Sequence, residues 1–88
     1  MELTDFPAVQ SLPTVLPKPR FQLGESVRWA VVTEPDFGQI VGIFYTEGDH
    51  NQVSGIYYLV LLDAQSPSHG ICTQDMALEV DLEQWHPA

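Results

Sequence analysis

The segment Gly55-Ile-Tyr-Tyr-Leu-Val-Leu-Leu-Asp63 decides the fold class of this chain. Its aromatic and β-branched side chains favour a strand, in which successive residues point to opposite faces of a sheet. One face would carry Ile56, Tyr58, Val60 and Leu62, and the other would carry Tyr57, Leu59 and Leu61. Because both sets are apolar, the sequence predicts a strand that needs cover on both of its faces.

The segments that precede this strand also alternate with a period of two. The alternation predicts a first strand over residues 25–33 and a second strand over residues 37–46, with the third strand at residues 55–63. Gly38 and Gly42 lie within the second strand. Glycine inside a strand indicates a bulge or a sharp coil where a sheet bends to close. The pattern therefore favours a small, curved, all-β domain.

The C-terminal segment carries two overlapping patterns. The stronger one alternates, and it predicts a short strand over residues 71–73 and a last strand over residues 77–83. Residues 74–76 between them would form a tight turn or one 3₁₀ turn. A short helix over residues 74–85 stays open as the alternative, because apolar residues at helical spacing lie at Leu78, Leu82 and Trp85.

Residues 1–20 differ in composition from the rest of the chain. Four of the seven prolines lie there, and proline forbids a long helix or a central strand. We expect an extended proline-rich arm over residues 1–20, one domain over residues 21–85 and a tail over residues 86–88. The arm also has apolar side chains to bury, at Phe6, Val9, Leu12, Val15 and Leu16. It is the nearest cover for the third strand, either of its own domain or of a neighbouring copy.

The charge balance separates classes of partner. Twelve acidic residues against three basic ones give a formal net charge of −9, and the bases are Lys18, Arg20 and Arg28. Nucleic-acid binders and proteins that bind anionic membranes depend on clustered Lys and Arg, so both classes are disfavoured. An acidic face could instead dock a basic partner or imitate DNA toward a DNA-binding protein. The plain alternative is that the charge keeps a small protein in solution.

Three features indicate the compartment. The single cysteine, Cys72, cannot form an internal disulfide, although small secreted domains usually carry several. A signal peptide begins with a basic region followed by an apolar run, and the first residues of this sequence do not show that pattern. The longest apolar run, residues 56–62, is too short to span a bilayer. The sequence therefore predicts a cytoplasmic protein with no membrane insertion.

Short motifs along the chain resemble a known architecture. Gly24-Glu25-x-Val27 opens the first strand and Asp36-x-Gly38-x-Ile40-x-Gly42 opens the second, followed by Tyr58-x-Val60, Leu62-Asp63, Leu78-Glu79 and Leu82-Glu83. Over about residues 22–84 the pattern resembles the SH3-like small-barrel group, which includes KOW, Tudor-like and accessory-subunit domains. The resemblance implies a five-stranded SH3-like barrel. Relatives of this kind bind peptides or nucleic acid, or serve as small subunits of large assemblies.

Chemistry-bearing residues are sparse. His69-x-x-Cys72 and Asp49-His50 are the local candidates for a metal or a nucleophile, but structural zinc needs four ligands. A cysteine nucleophile needs a base and a third group that orients the base. The sequence contains neither pattern, and it contains no phosphate-binding loop. We therefore expect no enzyme activity, no metal and no cofactor.

The remaining candidates form a partner-binding surface. They are the outer residues of the third strand and the acidic residues of the last one: Tyr57, Leu59, Leu61, Glu79, Asp81 and Glu83. On a strand, the three acids would form one stripe, which solvent or a basic partner must screen.

The function that this surface predicts is that of a non-catalytic protein-interaction module. It would be an adaptor or a small accessory or regulatory subunit of a larger assembly, with a protein partner that has a basic surface. A homodimer through the arm or the third strand is a second option. The alternative function is an acidic nucleic-acid mimic that inhibits a DNA-binding protein.

Overall fold

The structure, a computed structural model, describes residues 16–48 and 54–86. In these residues five antiparallel strands form one sheet, and a 3₁₀ helix precedes the last strand. The elements are β1 (Ser26–Trp29), β2 (Phe37–Thr46), β3 (Gly55–Leu62), β4 (Gln74–Leu78), the 3₁₀ helix (Glu79–Asp81) and β5 (Leu82–Gln84). The described part has no α-helix and no helix suited to crossing a membrane. The all-β prediction is confirmed.

The sheet has the strand order β4-β3-β2-β1-β5. The longest strand, β2, pairs with β3 from Gly38 to Thr46 but with β1 only over residues 37–39. β5 pairs with the edge of β1 that faces away from β2, and β4 pairs with β3. The C-terminal segment therefore contributes both edge strands of the sheet. β2 is therefore the strand that connects the two halves of the fold.

The two glycines of β2 mark a bulge and a close approach to β3. The register between β2 and β3 shifts between Ile40 and Gly42, as in a β-bulge. A Cβ atom on Gly38 would overlap the carbonyl oxygen of Leu61, because β2 and β3 approach closely at that position. The prediction of a bulge in the second strand is confirmed at Gly42, whereas Gly38 lies in regular register and marks the close approach of β3.

The core lies on one side of the sheet, which we call the inner face. It contains nine buried residues from all five strands and the segment before β1: Phe21, Val27, Ile40, Ile56, Tyr58, Val60, Leu62, Ala77 and Leu82. Tyr58 is its largest fully buried side chain, and the edge of the Phe21 ring packs against it with 5.4 Å between centroids. The alternation predicted for β3 is confirmed, since Ile56, Tyr58, Val60 and Leu62 are all buried.

The first strand is shorter than predicted. It ends at Trp29 instead of continuing to residue 33. Val31 has a φ of 46° and Glu34 a φ of 54°, which places both in the left-handed region. That conformation is costly for a β-branched residue and incompatible with a strand. The apolar alternation continued into a loop whose Val31 side chain is fully exposed.

The C-terminal segment was predicted wrongly. The structure has no strand at residues 71–73, places β4 where the turn was expected, and places the 3₁₀ helix within the predicted strand 77–83. The reason is topological. β4 pairs with β3 and β5 pairs with β1, and because β2 separates β3 from β1, one continuous strand cannot pair with both. The 3₁₀ helix turns the chain from one edge to the other.

Candidate functional site

The sheet surface opposite the core, which we call the outer face, carries an unusual amount of apolar area. Tyr57, Leu59 and Leu61 alternate with the buried residues of β3, as predicted, and Leu61 is 42% exposed. β2 adds Phe44, which is paired with Tyr57, and β4 adds Met76, which is paired with Leu59. Phe44 and Met76 are 46% and 47% exposed. We call these five residues the apolar patch.

The patch is contiguous because of Gly42. A Cβ atom at this position would lie 2.9 Å from Cε2 of Phe44 and 3.2 Å from Cβ of Leu59. The Phe44 ring therefore lies over the backbone of Gly42 and reaches toward Leu59. Without the glycine, the ring would have to move away from β3. The same bulge that bends β2 also closes the patch between β2 and β3.

A groove adjoins the patch at Leu61. Its axis follows one cross-strand row of outer-face residues. The backbone N–H of Trp85 donates to the carbonyl of Ser26. Ser26 is the strand partner of Gln39, which in turn is the strand partner of Leu61. The groove has a volume of about 290 Å³ and is lined by Ser26, Gly38, Gln39, Leu61, Leu62, Asp63 and Trp85. By this register the indole of Trp85 lies at one end, Ser26, Gly38 and Gln39 lie in the middle, and Leu61 and the carboxylate of Asp63 lie at the other end.

Both ends of the groove are held in place. The Phe37 ring packs on Trp85, with 4.3 Å between ring centroids and a 47° tilt. At the other end, the backbone N–H of Asp63 donates to the carbonyl of Phe37 over 2.9 Å. The Asp63 carboxylate accepts from the N–H of Gln65, also over 2.9 Å. The groove is therefore shaped before any ligand arrives.

A hydrogen-bonded network around Asp36 fixes the loop that follows Asp63. The Asp36 carboxylate accepts from the Ser66 hydroxyl over 2.7 Å and from the Ser68 N–H over 2.8 Å, and Ser66 is buried. Burial alone would raise the pKa of Asp36, but the bonds from Ser66 and Ser68 outweigh it and lower that pKa below its ordinary value. The network joins the β1–β2 turn to the β3–β4 loop.

Glu79 has a structural role that the sequence did not reveal. Its Oε2 accepts from the Tyr58 hydroxyl over 2.6 Å and from the Arg20 N–H over 2.8 Å. The Tyr58 hydroxyl in turn accepts from the N–H of Phe21 over 3.2 Å. Burial and then the bond to Glu79 raise the pKa of Tyr58. Glu79 thus connects the 3₁₀ helix to the start of the domain through a buried tyrosine.

The predicted acidic stripe is not present, because its three members lie on two different elements. Glu79 and Asp81 belong to the 3₁₀ helix and Glu83 belongs to β5. Glu83 forms an ion pair with Nε of Arg28 on the neighbouring strand. The Asp81 side chain is exposed, while its carbonyl accepts from Ala30 over 2.8 Å. Of the six predicted site residues, the structure brings together only Tyr57, Leu59 and Leu61.

The arm is described only from Leu16 onward, so Phe6, Val9, Leu12 and Val15 lie outside the described residues. Leu16, Pro17 and Pro19 are exposed and line a cavity of about 210 Å³ with residues 43–45 and Ile56. This part of the arm runs beside the half of β2 that β1 does not pair with. Cover of the outer face by the arm stays a prediction.

Sequence reasoning missed the groove. The sequence patterns place Trp85 in the helical alternative and Asp63 at the end of the third strand, and they do not predict a groove that contains both residues. The signal was available in part, because Trp85 follows Glu83 at strand spacing and therefore shares its face. Its neighbours Ser26 and Gln39 could not be found, since they depend on the register across three strands.

The metal and nucleophile candidates fall in the loop before β4. The N–H of His69 donates to Ser66 and the N–H of Cys72 to Ser68, as in consecutive turns. His50 lies outside the described residues. Within the described ranges, no three His, Cys, Asp or Glu side chains are grouped so that they could hold a metal ion.

Comparisons with protein-family models, with curated proteins and with solved structures give no match to this chain. The function must therefore be argued from its own surface.

Proposed function

We propose that this protein is a non-catalytic interaction module, an adaptor or small accessory subunit that docks a protein partner on the apolar patch. The observation that carries the proposal is the exposure of Phe44, Leu61 and Met76 on one face of the sheet. Contiguous exposed apolar area of this kind is typical of interaction sites. The core does not need these residues, because the inner face is already filled by nine buried side chains.

The same proposal includes the closure of the sheet into a barrel. An antiparallel sheet in the order β4-β3-β2-β1-β5, with a bulge in β2 and a 3₁₀ helix before β5, supports an SH3-like barrel. We propose that the chain closes in this way and works in the cytoplasm. A fold of this kind presents a rigid surface and leaves the choice of partner to exposed side chains.

The partner's chemistry follows from the charge. At a net charge of −9, two copies of the chain repel each other, which disfavours a homodimer through the outer face. A partner with basic residues around an apolar centre would instead be attracted. We therefore infer a basic protein partner, with apolar contact on the patch and charge complementarity around it.

The nucleic-acid mimic has weaker support. It depends on an array of carboxylates that a DNA-binding protein could read as phosphates. Glu79 and Glu83, two of the three acids expected to form that array, are engaged inside the domain by Tyr58 and Arg28. Of the predicted stripe, this leaves the Asp81 carboxylate alone.

The experiment compares matched surface variants of the full chain. The tagged protein is used to purify its partner from native cells, and the affinity of that partner is then measured by calorimetry. Met76→Ser should weaken binding about tenfold or more, as expected for a half-exposed apolar residue that the interface would bury. Val80→Ser is the control, because Val80 is 73% exposed but lies on the 3₁₀ helix. Unfolding by urea confirms that both variants are folded.

Two results would contradict the proposal. One is equal partner affinity for Met76→Ser and Val80→Ser, which would place the interface elsewhere. The other is an affinity that falls steeply with salt while Met76→Ser has no effect, which is the behaviour of a nucleic-acid mimic.

A further inference from the structure

The groove beside the patch has a chemistry that the patch lacks. Its Trp85 end offers an aromatic face, which attracts cations through the ring quadrupole. Its opposite end offers the carboxylate of Asp63, and the Gln39 side chain lies between the two ends. Ser26 has a small side chain and Gly38 has none, so neither residue fills the space between the two ends. The groove therefore combines a flat aromatic wall, an anion and room for a flat group.

We propose that this groove receives one arginine side chain of the protein partner. The proposal deepens the proposed function, on which it rests, by naming the group that the partner presents next to the apolar patch. The guanidinium would stack on Trp85 and direct N–H groups to Asp63 and to the amide oxygen of Gln39. Its aliphatic stem would cross Leu61, the residue that the groove shares with the patch.

An arginine fits this lining better than the other candidate groups. An apolar side chain would cover Asp63 and Gln39 without offering either a hydrogen bond, which is costly. A lysine ammonium is a compact, strongly hydrated charge that cannot stack along an indole. A guanidinium is planar, weakly hydrated and able to donate to two acceptors at once.

None of the three Lys and Arg side chains, all of which lie in the described part of the chain, lines the groove. Arg28 is on the same face, but its charge is compensated by the ion pair with Glu83. The Arg20 guanidinium lies 4.9 Å from the centroid of the Phe21 ring, and Lys18 lines a different cavity. The acidic chain therefore leaves the Asp63 carboxylate and the indole available to a partner's cation.

The test uses small probes, so it does not require the partner. N-acetyl-arginine N-methylamide is titrated into the full chain and followed by nitrogen-proton NMR, including the indole N–H of Trp85. N-acetyl-citrulline N-methylamide is the control probe, because citrulline has nearly the same shape without the charge. We expect arginine to shift the signals of Trp85, Gln39 and Leu61, and citrulline to bind about twofold to fivefold more weakly, as for one exposed cation–π contact.

Two variants locate the charge. Asp63→Asn keeps an acceptor for the Gln65 N–H but removes the carboxylate, and it should weaken arginine binding about twofold to fivefold. Asp75→Asn is the matched control, since Asp75 is an exposed acid on β4 outside the groove, and it should leave the affinity unchanged. The absence of arginine-dependent shifts at Trp85, equal binding of citrulline, or equal effects of the two variants would each overturn the proposal.

The outcome of the arginine test can be distinguished from the outcome of the test of the proposed function. If arginine fails to bind while Met76→Ser still disrupts the partner complex, only the groove proposal is wrong. If arginine binds as expected and Met76→Ser has no effect, the groove stands and the role of the patch is wrong.

Discussion

The two faces of β3 are almost equal in composition and opposite in environment. The inner face presents Ile56, Tyr58, Val60 and Leu62, none more than 6% exposed, and the outer face presents Tyr57, Leu59 and Leu61. The inner residues meet side chains from every other strand, whereas Leu61 borders a groove. The comparison teaches that apolar character alone does not identify a core. What identifies it is whether side chains from the other strands and from the segment before β1 pack against that face.

Two neighbouring leucines provide the most direct test of the difference between the two faces of β3. Leu62→Ala should reduce the free energy of unfolding by about 2–5 kcal/mol, because it leaves a cavity in the core. Leu61→Ala makes the same chemical change one residue away, on the exposed face, and should cost less than about 1 kcal/mol. Urea unfolding of both variants checks the difference. Equal losses would mean that the outer face is also packed in the free protein.

The buried tyrosine should show the next largest effect. Tyr58→Phe removes the hydroxyl that joins Phe21 to Glu79 and leaves a buried N–H without its acceptor. We expect a loss of about 1–3 kcal/mol in the free energy of unfolding, measured in urea. Tyr45→Phe is the control, because the Tyr45 hydroxyl donates to the Glu47 carboxylate over a long 3.5 Å. A larger loss for Tyr45→Phe would contradict the assigned network.

The pH dependence of the same variant sharpens this result. The pKa of Tyr58 is raised above 10.0 in the folded protein by burial and by Glu79, so the folded state holds that proton more tightly than the unfolded state does. Its contribution to stability is complete below pH 10 and is lost as the pH rises through the folded-state pKa. Wild-type protein should therefore lose more stability above pH 10 than Tyr58→Phe does.

The smallest effects should separate the two acids that the sequence placed in one stripe. Glu79→Gln keeps an acceptor but loses the charge that strengthens its bonds from Tyr58 and Arg20, and it should cost about 1 kcal/mol. Glu83→Gln removes an ion pair whose side chains are both more than 40% exposed, and it should cost no more than about 0.5 kcal/mol. Urea unfolding at moderate salt measures both. A larger loss for Glu83→Gln than for Glu79→Gln would contradict the assignment of the bond between Glu79 and the buried Tyr58 as the stronger of the two contacts.

Local sequence patterns predicted the structure correctly where the whole pattern lies within a single strand. The bounds of β2 and the faces of β3 followed from alternation over eight to ten residues, and both are as predicted. The bend at Gly42 followed from the rarity of glycine in a strand. These features depend on backbone geometry within a single segment, so the sequence carries them directly.

The errors arose where a segment's partner decides its structure. Residues 76–83 alternate without interruption, yet residues 74–84 divide into β4, a 3₁₀ helix and β5. The two strands pair at opposite edges of the sheet. Glu79 accepts hydrogen bonds from Tyr58, which is 21 positions away along the chain, and from Arg20, which is 59 positions away. Spacing along the chain does not reveal such contacts.

By itself, the sequence determined an acidic, all-β chain with a bend in its second strand and a third strand apolar on both faces. Charge, composition and strand alternation are local properties, and they survive any arrangement of the strands. Only the tertiary structure decided which acids are engaged within the domain and which face of β3 is left exposed. It also placed Trp85, Gln39 and Asp63 around one groove, because their proximity depends on the pairing and register of strands that are distant in sequence.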